Sequence, residues 1–269
     1  MPTVLLVRHG RTTANASGVL AGWTPGVALD GTGVAQADAL ASRLAAVPLA
    51  AVVTSPLQRC RETAAALVAV PGPPATATGR SSRRSAPVPV PRPEPAVDDR
   101  LGEARYGDWT GRSLKDLAKE PLWRVVQAHP SAVTFPGSEG ESMPAMQTRA
   151  VEAVRWHDAA VAAEHGPDAV WVAVSHGDVI KAVLADAFGM HLDAFQRIVV
   201  DTCSVSVVRY TPLRPFVVRV NDTGGDLAGL VPPPPPRRGR RRAAADPLTA
   251  SDAVVGGSTG TTGTRPATA

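Results

Sequence analysis

The chain has 269 residues, of which 44% are hydrophobic and 19% charged, so it is long and apolar enough for a sizeable core. Its 2 cysteines, Cys60 and Cys203, stand far apart and in no metal-binding spacing, which disfavours a disulfide scaffold and suits a reducing compartment. No apolar stretch approaches the roughly 18–20 residues that span a bilayer, and the first residues do not form a signal peptide. We therefore expect a cytoplasmic protein with no membrane partner.

The formal charge of +4 is unevenly distributed along the chain. Residues 71–97 and 221–269 hold most of the excess arginine, are rich in proline, glycine or threonine, and are poor in large apolar side chains. Such composition predicts a mobile insertion at about 71–97 and a disordered tail over 224–269. The body, residues 1–223, carries no basic stripe interleaved with aromatic residues, which disfavours nucleic acid as a partner.

Within the body, short apolar runs alternate with helical patterns, which predicts βαβ units and a mostly parallel sheet. Continuous apolar character is typical of strands that are covered on both faces. The predicted strands are "TVLLVR", "AAVVTS", "AVWVAVS" and "SVSVVRY". The predicted helices are "DGTGVAQADALASRLAAV", "SPLQRCRETAAALVAV" with Ser55 as N-cap and Pro56 as first residue, "ESMPAMQTRAVEAVRWHDAAVAAEHG", and "HGDVIKAVLADAFG".

Two of the predicted strands end in a His-Gly pair, at His9 and His176. Ligands gather at the carboxyl ends of strands in open α/β sheets, and Arg8 and Arg59 stand at two of these ends. Arginine binds phosphate oxygens bidentately, and nearby cations lower a histidine's pKa so that the imidazole stays neutral and nucleophilic. The pattern predicts a phosphoryl-transfer site and leaves open which imidazole nitrogen reacts.

Five segments, "LVRHGRTTAN", "SPLQRCRETA", "LGEARYGDWTG", "GESM" and "VSHGDVIKAVL", resemble the histidine phosphatase superfamily, branch one, and occur in its order. The resemblance extends over nearly all of residues 3–220. It implies a phosphoglycerate-mutase-like fold, which is a three-layer α/β/α sandwich around a mostly parallel central sheet. The segment "NDTGGDL" also resembles an actinobacterial subgroup of phosphomutases and phosphatases.

The resemblance also implies roles for individual residues. His9 would be the nucleophile that becomes a phosphohistidine, Glu103 the general acid, and His176 a further catalytic residue. Asp178 is a rival acid, because the phytase-like branch carries its acid next to the second histidine, but here Gly177 occupies that position. The phosphate would be bound by Arg8, Asn15, Arg59 and His176, with Thr12, Gly22, Trp23 and Gly177 close to the substrate. No metal and no cofactor is implied.

Three functions are compatible with these residues. A phosphomonoester hydrolase acting on a small phosphorylated metabolite is favoured, because the region from Gly111 to Glu141 is short and lacks the paired-arginine clamp of the glycolytic mutases. A phosphomutase is the alternative. A catalytically silent phosphate-binding module is less favoured, because His9 and Glu103 are both present. We expect Cys60 to be a packed core residue. The segment around Trp123 is one of several that could contact the substrate, and the assembly state is left open, with a homodimer as one alternative.

Overall fold

A computed structural model describes residues 2–73 and 91–224 of the chain. The strands are β1 (Thr3–Arg8), β2 (Leu49–Thr54), β3 (Ala96–Val97), β4 (Val170–Ser175), β5 (Val205–Tyr210) and β6 (Pro215–Asp222). The α-helices are α1 (Thr13–Ser17), α2 (Gly31–Arg43), α3 (Gln58–Ala69), α4 (Leu114–Leu117), α5 (Pro121–Ala128), α6 (Met143–His165) and α7 (Gly177–Phe188). Short 3-10 helices cover Asp99–Leu101, Gly107–Trp109, Pro130–Ala132 and Leu192–Arg197.

The strands form one sheet in the order β3-β2-β4-β1-β5-β6. Strands β3, β2, β4 and β1 are parallel, whereas β5 is antiparallel to β1, and β6 to β5. Adjacent parallel strands bring their carboxyl ends to one edge of the sheet. The residues that follow β1, β2 and β4 therefore meet there.

Side chains of β1 alternate between two hydrophobic cores, one on each face of the sheet. Val4 and Leu6 lie in the core that is shared with α6 and α7, whereas Leu5 and Val7 lie in the core that is shared with α2 and α3. Every β1 residue from Val4 to Val7 is buried, because helices cover both faces. The predicted α/β sandwich with a mostly parallel sheet is confirmed.

Local sequence explains where the long helices begin and end. The Asp30 side chain accepts a hydrogen bond from the Gly33 N–H at 2.8 Å and so caps α2. Ser142 caps α6 in the same way through the Ala145 N–H, at 3.1 Å. Gly166 ends α6 with a φ of 88°, a left-handed value that glycine adopts readily.

All four predicted strands and all four predicted helices are present, although α2 ends at Arg43, before the end of its predicted segment, and the start of α3 also differs. Helix α3 begins at Gln58 with Leu57 as its N-cap, so the prediction of Ser55 as N-cap and Pro56 as first helical residue is wrong. The Ser55 hydroxyl instead lies 2.8 Å from the Nε2 atom of His176. Strand propensity alone did not reveal β3, which has two residues, or β6, which begins with proline and contains Arg219.

Only part of the predicted insertion falls within the described residues. Residues 91–97 join the folded body, because Ala96 and Val97 pair with β2, and Arg92 donates hydrogen bonds to the carbonyls of Val70 at 2.9 Å and Leu44 at 2.6 Å. The remainder of the insertion, 74–90, and the predicted tail from residue 225 onwards lie outside the described residues.

Candidate active site

His9 directly follows β1 and is 3% exposed. Its Nδ1 atom lies 2.7 Å from the carbonyl oxygen of Gly10. A carbonyl can only accept a hydrogen bond, so Nδ1 carries the hydrogen and, in the neutral ring, Nε2 carries the lone pair. The backbone thereby determines which nitrogen of His9 can act as a nucleophile.

The electrostatic surroundings of His9 favour its neutral form. Burial lowers the pKa of His9 well below its usual value, and the nearby guanidinium groups of Arg59 and Arg8 lower it further. A neutral imidazole with a lone pair on Nε2 can therefore be present at neutral pH.

Two buried arginines stand beside this histidine. Arg8, the last residue of β1, donates from Nη1 to the carbonyl of Val200 at 2.8 Å. Arg59, in the first turn of α3, donates from Nη2 to the carbonyl of Gly22 at 2.9 Å. The other terminal nitrogen of Arg59, Nη1, is buried and has no hydrogen-bond partner within residues 2–73 and 91–224. A buried cationic donor without a partner is typical of an anion-binding site.

His176 is fully buried at the end of β4, and its ring centroid lies 5.2 Å from that of His9. The Nη2 atom of Arg59 lies 3.2 Å from Nδ1 of His176, and the Ser55 hydroxyl lies 2.8 Å from its Nε2. Because a guanidinium can only donate, Nδ1 accepts, and Nε2–H donates to Ser55. Burial, followed by the charge of Arg59, lowers the pKa of His176 well below its usual value.

Glu103 is 4% exposed, and its Oε2 atom lies 3.7 Å from Nδ1 of His176. Its Oε1 atom accepts a hydrogen bond from the Ala104 N–H at 3.0 Å. Burial raises the pKa of Glu103 to about 7, and the negative charge of Asp178 adds to this effect. A carboxyl group with such a pKa can hold a proton at neutral pH and release it.

Two side chains, Trp23 and Arg149, hold the backbone that carries Glu103. Its carbonyl oxygen accepts hydrogen bonds from the Trp23 indole N–H at 2.7 Å and from Nη2 of Arg149 at 3.0 Å. Arg149 also donates to the Gly102 carbonyl at 2.9 Å and pairs with Glu141 at 2.6 Å. The Glu103 carboxyl group is therefore attached to a fixed backbone.

Asp178, the rival acid, has other contacts. It is 1% exposed, and its Oδ2 atom accepts a hydrogen bond from the Tyr106 hydroxyl at 2.9 Å. The Nζ atom of Lys181 lies 3.5 Å from its Oδ1. These contacts engage both carboxylate oxygens of Asp178, one with a hydroxyl group and the other with a lysine side chain.

The other predicted site residues differ in their placement. The Asn15 side-chain oxygen accepts from the Thr12 N–H at 3.1 Å and from the Thr12 hydroxyl at 2.9 Å, which caps α1. The Gly22 carbonyl accepts a hydrogen bond from Arg59, and the Trp23 indole donates one to the Glu103 carbonyl. Gly177 is the buried first residue of α7, directly after His176.

Trp123 and Cys60 are both core residues. The Trp123 side chain is buried, with its ring centroid 6.2 Å from that of Trp109. Cys60 lies on α3 and is fully buried in the core. Burial raises the pKa of its thiol to about 12, as expected for a packed residue.

The family model of the histidine phosphatase superfamily (branch 1) matches residues 4–80 and 88–223. The chain belongs to this superfamily. The resemblance of the five motifs is therefore confirmed, and the chain is a member of a family of histidine-dependent phosphatases.

Solved structures of this superfamily share the fold across most of the chain. YhfR of Bacillus stearothermophilus is 26% identical, with a TM-score of 0.66 over 82% of this chain and 98% of that one. The mycobacterial glucosyl-3-phosphoglycerate phosphatase Rv2419c, in a complex with VO3, is 24% identical with a TM-score of 0.65, over 82% and 98%. The phosphoserine phosphatase of Entamoeba histolytica, in a complex with 3-phosphoglyceric acid, is 19% identical with a TM-score of 0.65, also over 82% and 98%.

A closer sequence match covers a shorter stretch. The proteins Rv0525 and MT0547 of two Mycobacterium tuberculosis strains, both named as uncharacterised, are 50% identical to the chain over 66 residues. The match covers 24% of this chain and 32% of each relative, so the chain spans about a third of the length of the curated relatives it matches.

Three site residues escaped the sequence analysis of this histidine phosphatase. Ser55 binds His176, Arg149 binds the Glu103 backbone, and Lys181 lies beside Asp178. Only Arg149 left a signal, because it follows Glu141 of the "GES" segment by 8 positions, and a cation near that carboxylate can pair with it. The other two depend on contacts between distant parts of the chain.

Neither a metal-binding cluster nor a membrane-spanning helix occurs among the described residues. In residues 2–73 and 91–224, no three histidine, cysteine, aspartate or glutamate side chains are grouped as a metal site would need. Nor does any helix in these two ranges combine the length and apolar character needed to cross a membrane.

Proposed function

We propose that the chain hydrolyses the phosphomonoester of a small metabolite through a phosphohistidine at Nε2 of His9. The observation that carries this proposal is the Nδ1–carbonyl contact of 2.7 Å at Gly10, which orients a neutral His9 between Arg8 and Arg59. Glu103 is buried beside the same pocket, and its carboxyl group is the proton donor in this proposal.

The substrate phosphoryl group binds first, in this proposal. Its oxygens accept hydrogen bonds from Arg59, including the Nη1 donor that is otherwise unsatisfied, and its charge is also stabilised by Arg8. The Asn15 amide nitrogen, whose neighbouring oxygen is bonded to Thr12, adds a further donor. Phosphoryl transfer depends mainly on such positioning and charge stabilisation.

Two chemical steps follow. The Nε2 lone pair of His9 forms a bond to phosphorus while the phosphorus–oxygen bond to the leaving alcohol breaks, and Glu103 gives its proton to the departing oxygen. A water molecule then attacks the phosphohistidine, and the Glu103 carboxylate takes a proton from that water. The phosphorus–nitrogen bond breaks, and phosphate leaves with His9 and Glu103 restored.

His176 acts on the phosphoryl group in the same proposal. Its Nδ1 atom accepts a hydrogen bond from Arg59. A bound phosphate dianion offsets the charge of Arg59, which favours protonation of Nδ1, and both ring nitrogens then donate, one to Ser55 and one to a phosphoryl oxygen. His176 thus stabilises the negative charge that develops on the transferring group.

A cleft next to the site is suited to the leaving group. It has a volume of about 380 Å³ and is lined by Trp23, Thr24, Pro25, Arg105, Gly107, Thr110 and Glu139. Its Trp23 wall is the side chain that binds the Glu103 carbonyl, so the cleft adjoins the proposed acid. This volume suits a small molecule. The neighbouring structures named as glucosyl-3-phosphoglycerate and phosphoserine phosphatases support a small phosphorylated metabolite as the substrate class.

The test combines a substrate panel with detection of the covalent intermediate. The purified full chain is incubated with phosphorylated sugars, glycerates and nucleotides in the presence of a metal chelator, and released phosphate is measured. We expect free phosphate from at least one ester, together with an acid-labile, base-stable phosphate on the protein. Activity that strictly requires a divalent ion would contradict the mechanism. An isomerised ester with no free phosphate would instead identify the phosphomutase alternative.

A further inference from the structure

A buried group of charged and polar side chains lies beside the proposed active site and has no role in the steps above. It consists of Asp178, Lys181 and Tyr106, which are exposed by only 1%, 4% and 0%. Ionised side chains are rarely buried without a partner, because leaving water costs free energy. Asp178 and Lys181 both lie on α7, where the other buried residues are apolar or glycine, so their burial requires an explanation.

The first turn of α7 faces the segment from Glu103 to Tyr106 at two points. His176, the N-cap of the helix, lies 3.7 Å from the Glu103 carboxyl group. Two residues later, Asp178 accepts the Tyr106 hydroxyl at 2.9 Å. The two contacts hold the Asp178 carboxylate and the Glu103 carboxyl group within one buried cluster.

Several groups around Asp178 stabilise a negative charge at its position. It lies in the first turn of a 12-residue helix, where the unpaired N–H groups and the helix dipole favour a negative charge. The Tyr106 hydroxyl donates to one of its oxygens, and Lys181 lies 3.5 Å from the other. The Lys181 ammonium is itself held by the Gln196 side-chain oxygen at 2.9 Å.

We propose that Asp178 is a positioning residue for catalysis: its fixed negative charge, held by Tyr106 and Lys181, keeps the proton on Glu103 until the leaving oxygen takes it. This inference rests on the proposed role of Glu103 as general acid. No bond is made or broken at Asp178, and the proton that is transferred remains the one on Glu103.

The charges around Glu103 show why such a residue is needed. Arg59, Arg8, Lys181 and the hydrogen bond from the Ala104 N–H all favour the ionised form of Glu103, and an ionised Glu103 has no proton to donate. Burial and the charge of Arg59 lower the pKa of His176 and so favour its neutral form, and the Tyr106 hydroxyl stays protonated because burial raises its pKa well above the usual value. Burial and Asp178 are the two influences that raise the pKa of Glu103, to about 7. Asp178 thus opposes the arginines that bind the phosphate.

The direction of the expected effect follows from the protonation of Glu103. A general acid works below its pKa, and activity falls as the pH rises through that value. Removing a neighbouring negative charge lowers the pKa of Glu103, so the fall should begin at a lower pH. Substitution Asp178→Asn keeps an oxygen that can accept the Tyr106 hydroxyl, removes the negative charge, and places an amide NH2 group opposite Lys181.

The experiment is a pH–rate profile of Asp178→Asn with an alkyl and an aryl phosphate ester. For the alkyl ester we expect the alkaline fall in kcat/KM to move down by about one pH unit, with the rate at pH 5 nearly unchanged. The aryl ester, whose leaving group needs little protonation, should show a much smaller change. Asp186→Asn is the matched control, because Asp186 lies on the same helix but pairs with exposed Arg155, and it should leave both profiles unchanged.

A second comparison separates this inference from the proposed function. In a Glu103→Gln background, adding Asp178→Asn should cause no further loss, because Asp178 acts only through Glu103. An alkyl-selective loss at every pH that persists in this background would make Asp178 the acid itself. An equal loss for both esters at every pH would make Asp178 merely structural. If Glu103→Gln alone leaves both esters unaffected, the acid role of Glu103 fails, and the inference fails with it.

Should Asp178→Asn not fold, the wild-type protein still permits a test. Glutamate carboxyl carbons labelled with ¹³C can be titrated by NMR, with the Glu103 signal assigned from its absence in Glu103→Gln. We expect that signal to titrate near pH 7, as the buried position beside Asp178 requires. Titration at the ordinary value of a glutamate, about 4.3, would overturn the inference.

Discussion

The ends of β1 and β4 carry the same local sequence, a buried strand followed by histidine and glycine, yet the two histidines are bound differently. His9 turns Nδ1 towards the Gly10 carbonyl at 2.7 Å, whereas His176 turns Nε2 towards Ser55 and Nδ1 towards Arg59. Each contact assigns the hydrogen of the neutral ring to a different nitrogen. One histidine is left with a lone pair for attack, and the other has both nitrogens engaged.

This comparison shows that the partner of the second ring nitrogen, more than the His-Gly pair itself, sets the chemistry of each histidine. Burial is the largest influence that lowers the pKa at both positions. Arg59 lowers both values further, so charge does not distinguish the two rings. The difference is one of hydrogen-bond geometry, and the following variants test it.

The largest effect is expected for His9→Ala. Without the imidazole no phosphorus–nitrogen bond can form, so turnover should be abolished and no acid-labile phosphate should be trapped on the protein. The measurement is steady-state phosphate release together with intermediate trapping, and circular dichroism checks that the variant folds. A folded variant that turns over at a rate near that of the wild type would remove the phosphohistidine from the mechanism.

The next effect concerns Glu103, which lies on the His176 side of the pair. Glu103→Gln keeps the size of the side chain and removes the proton donor, so it should lower kcat for an alkyl phosphate ester by about 10²–10⁴-fold. The loss should be much smaller for an aryl ester, since that leaving group is a weak base. Comparing the two esters in one variant makes each the control for the other, and equal losses would argue against the acid role.

A smaller effect is expected for His176→Ala. This variant removes one hydrogen-bond donor to the transferring phosphoryl group but leaves the nucleophile in place, so kcat should fall by about 10²–10³-fold. The phosphohistidine should still form, more slowly, and rapid-quench trapping would reveal it. If no intermediate formed at all, the two histidines would not have the separate roles that their hydrogen bonds indicate.

The fold could be predicted from the sequence because strands that are buried on both faces read as unbroken apolar runs. "TVLLVR" and "AVWVAVS" are β1 and β4, paired side by side. Edge strands give weaker signals: β6 has one neighbouring strand, and its exposed Phe216 and Val218 alternate with less exposed residues instead of forming a buried run.

Part of the site could also be predicted, because several of its residues stand in specific sequence motifs. His9, Arg59 and His176 stand within specific motifs, and the structure brings them together at one edge of the sheet. The orientation of the rings could not be predicted, because it depends on Gly10 and on Ser55, which is 121 positions from its partner His176. Tertiary contacts of that kind have no local sequence pattern.

The smallest effect is expected for Ser55→Ala, which tests the orientation of His176 directly. The Ser55 hydroxyl accepts the Nε2–H of His176 at 2.8 Å, and the Cys60 sulfur, 3.4 Å from the same nitrogen, is a weaker acceptor that remains in the variant. Loss of one buried hydrogen bond of about 1 kcal/mol corresponds to roughly a fivefold fall in kcat and a modestly lower Tm. The same substitution in a His176→Ala background should change kcat no further, because Ser55 acts through His176. A full additional loss in the double variant would show that Ser55 contacts the substrate itself, and the difference between the two histidines would then need another cause.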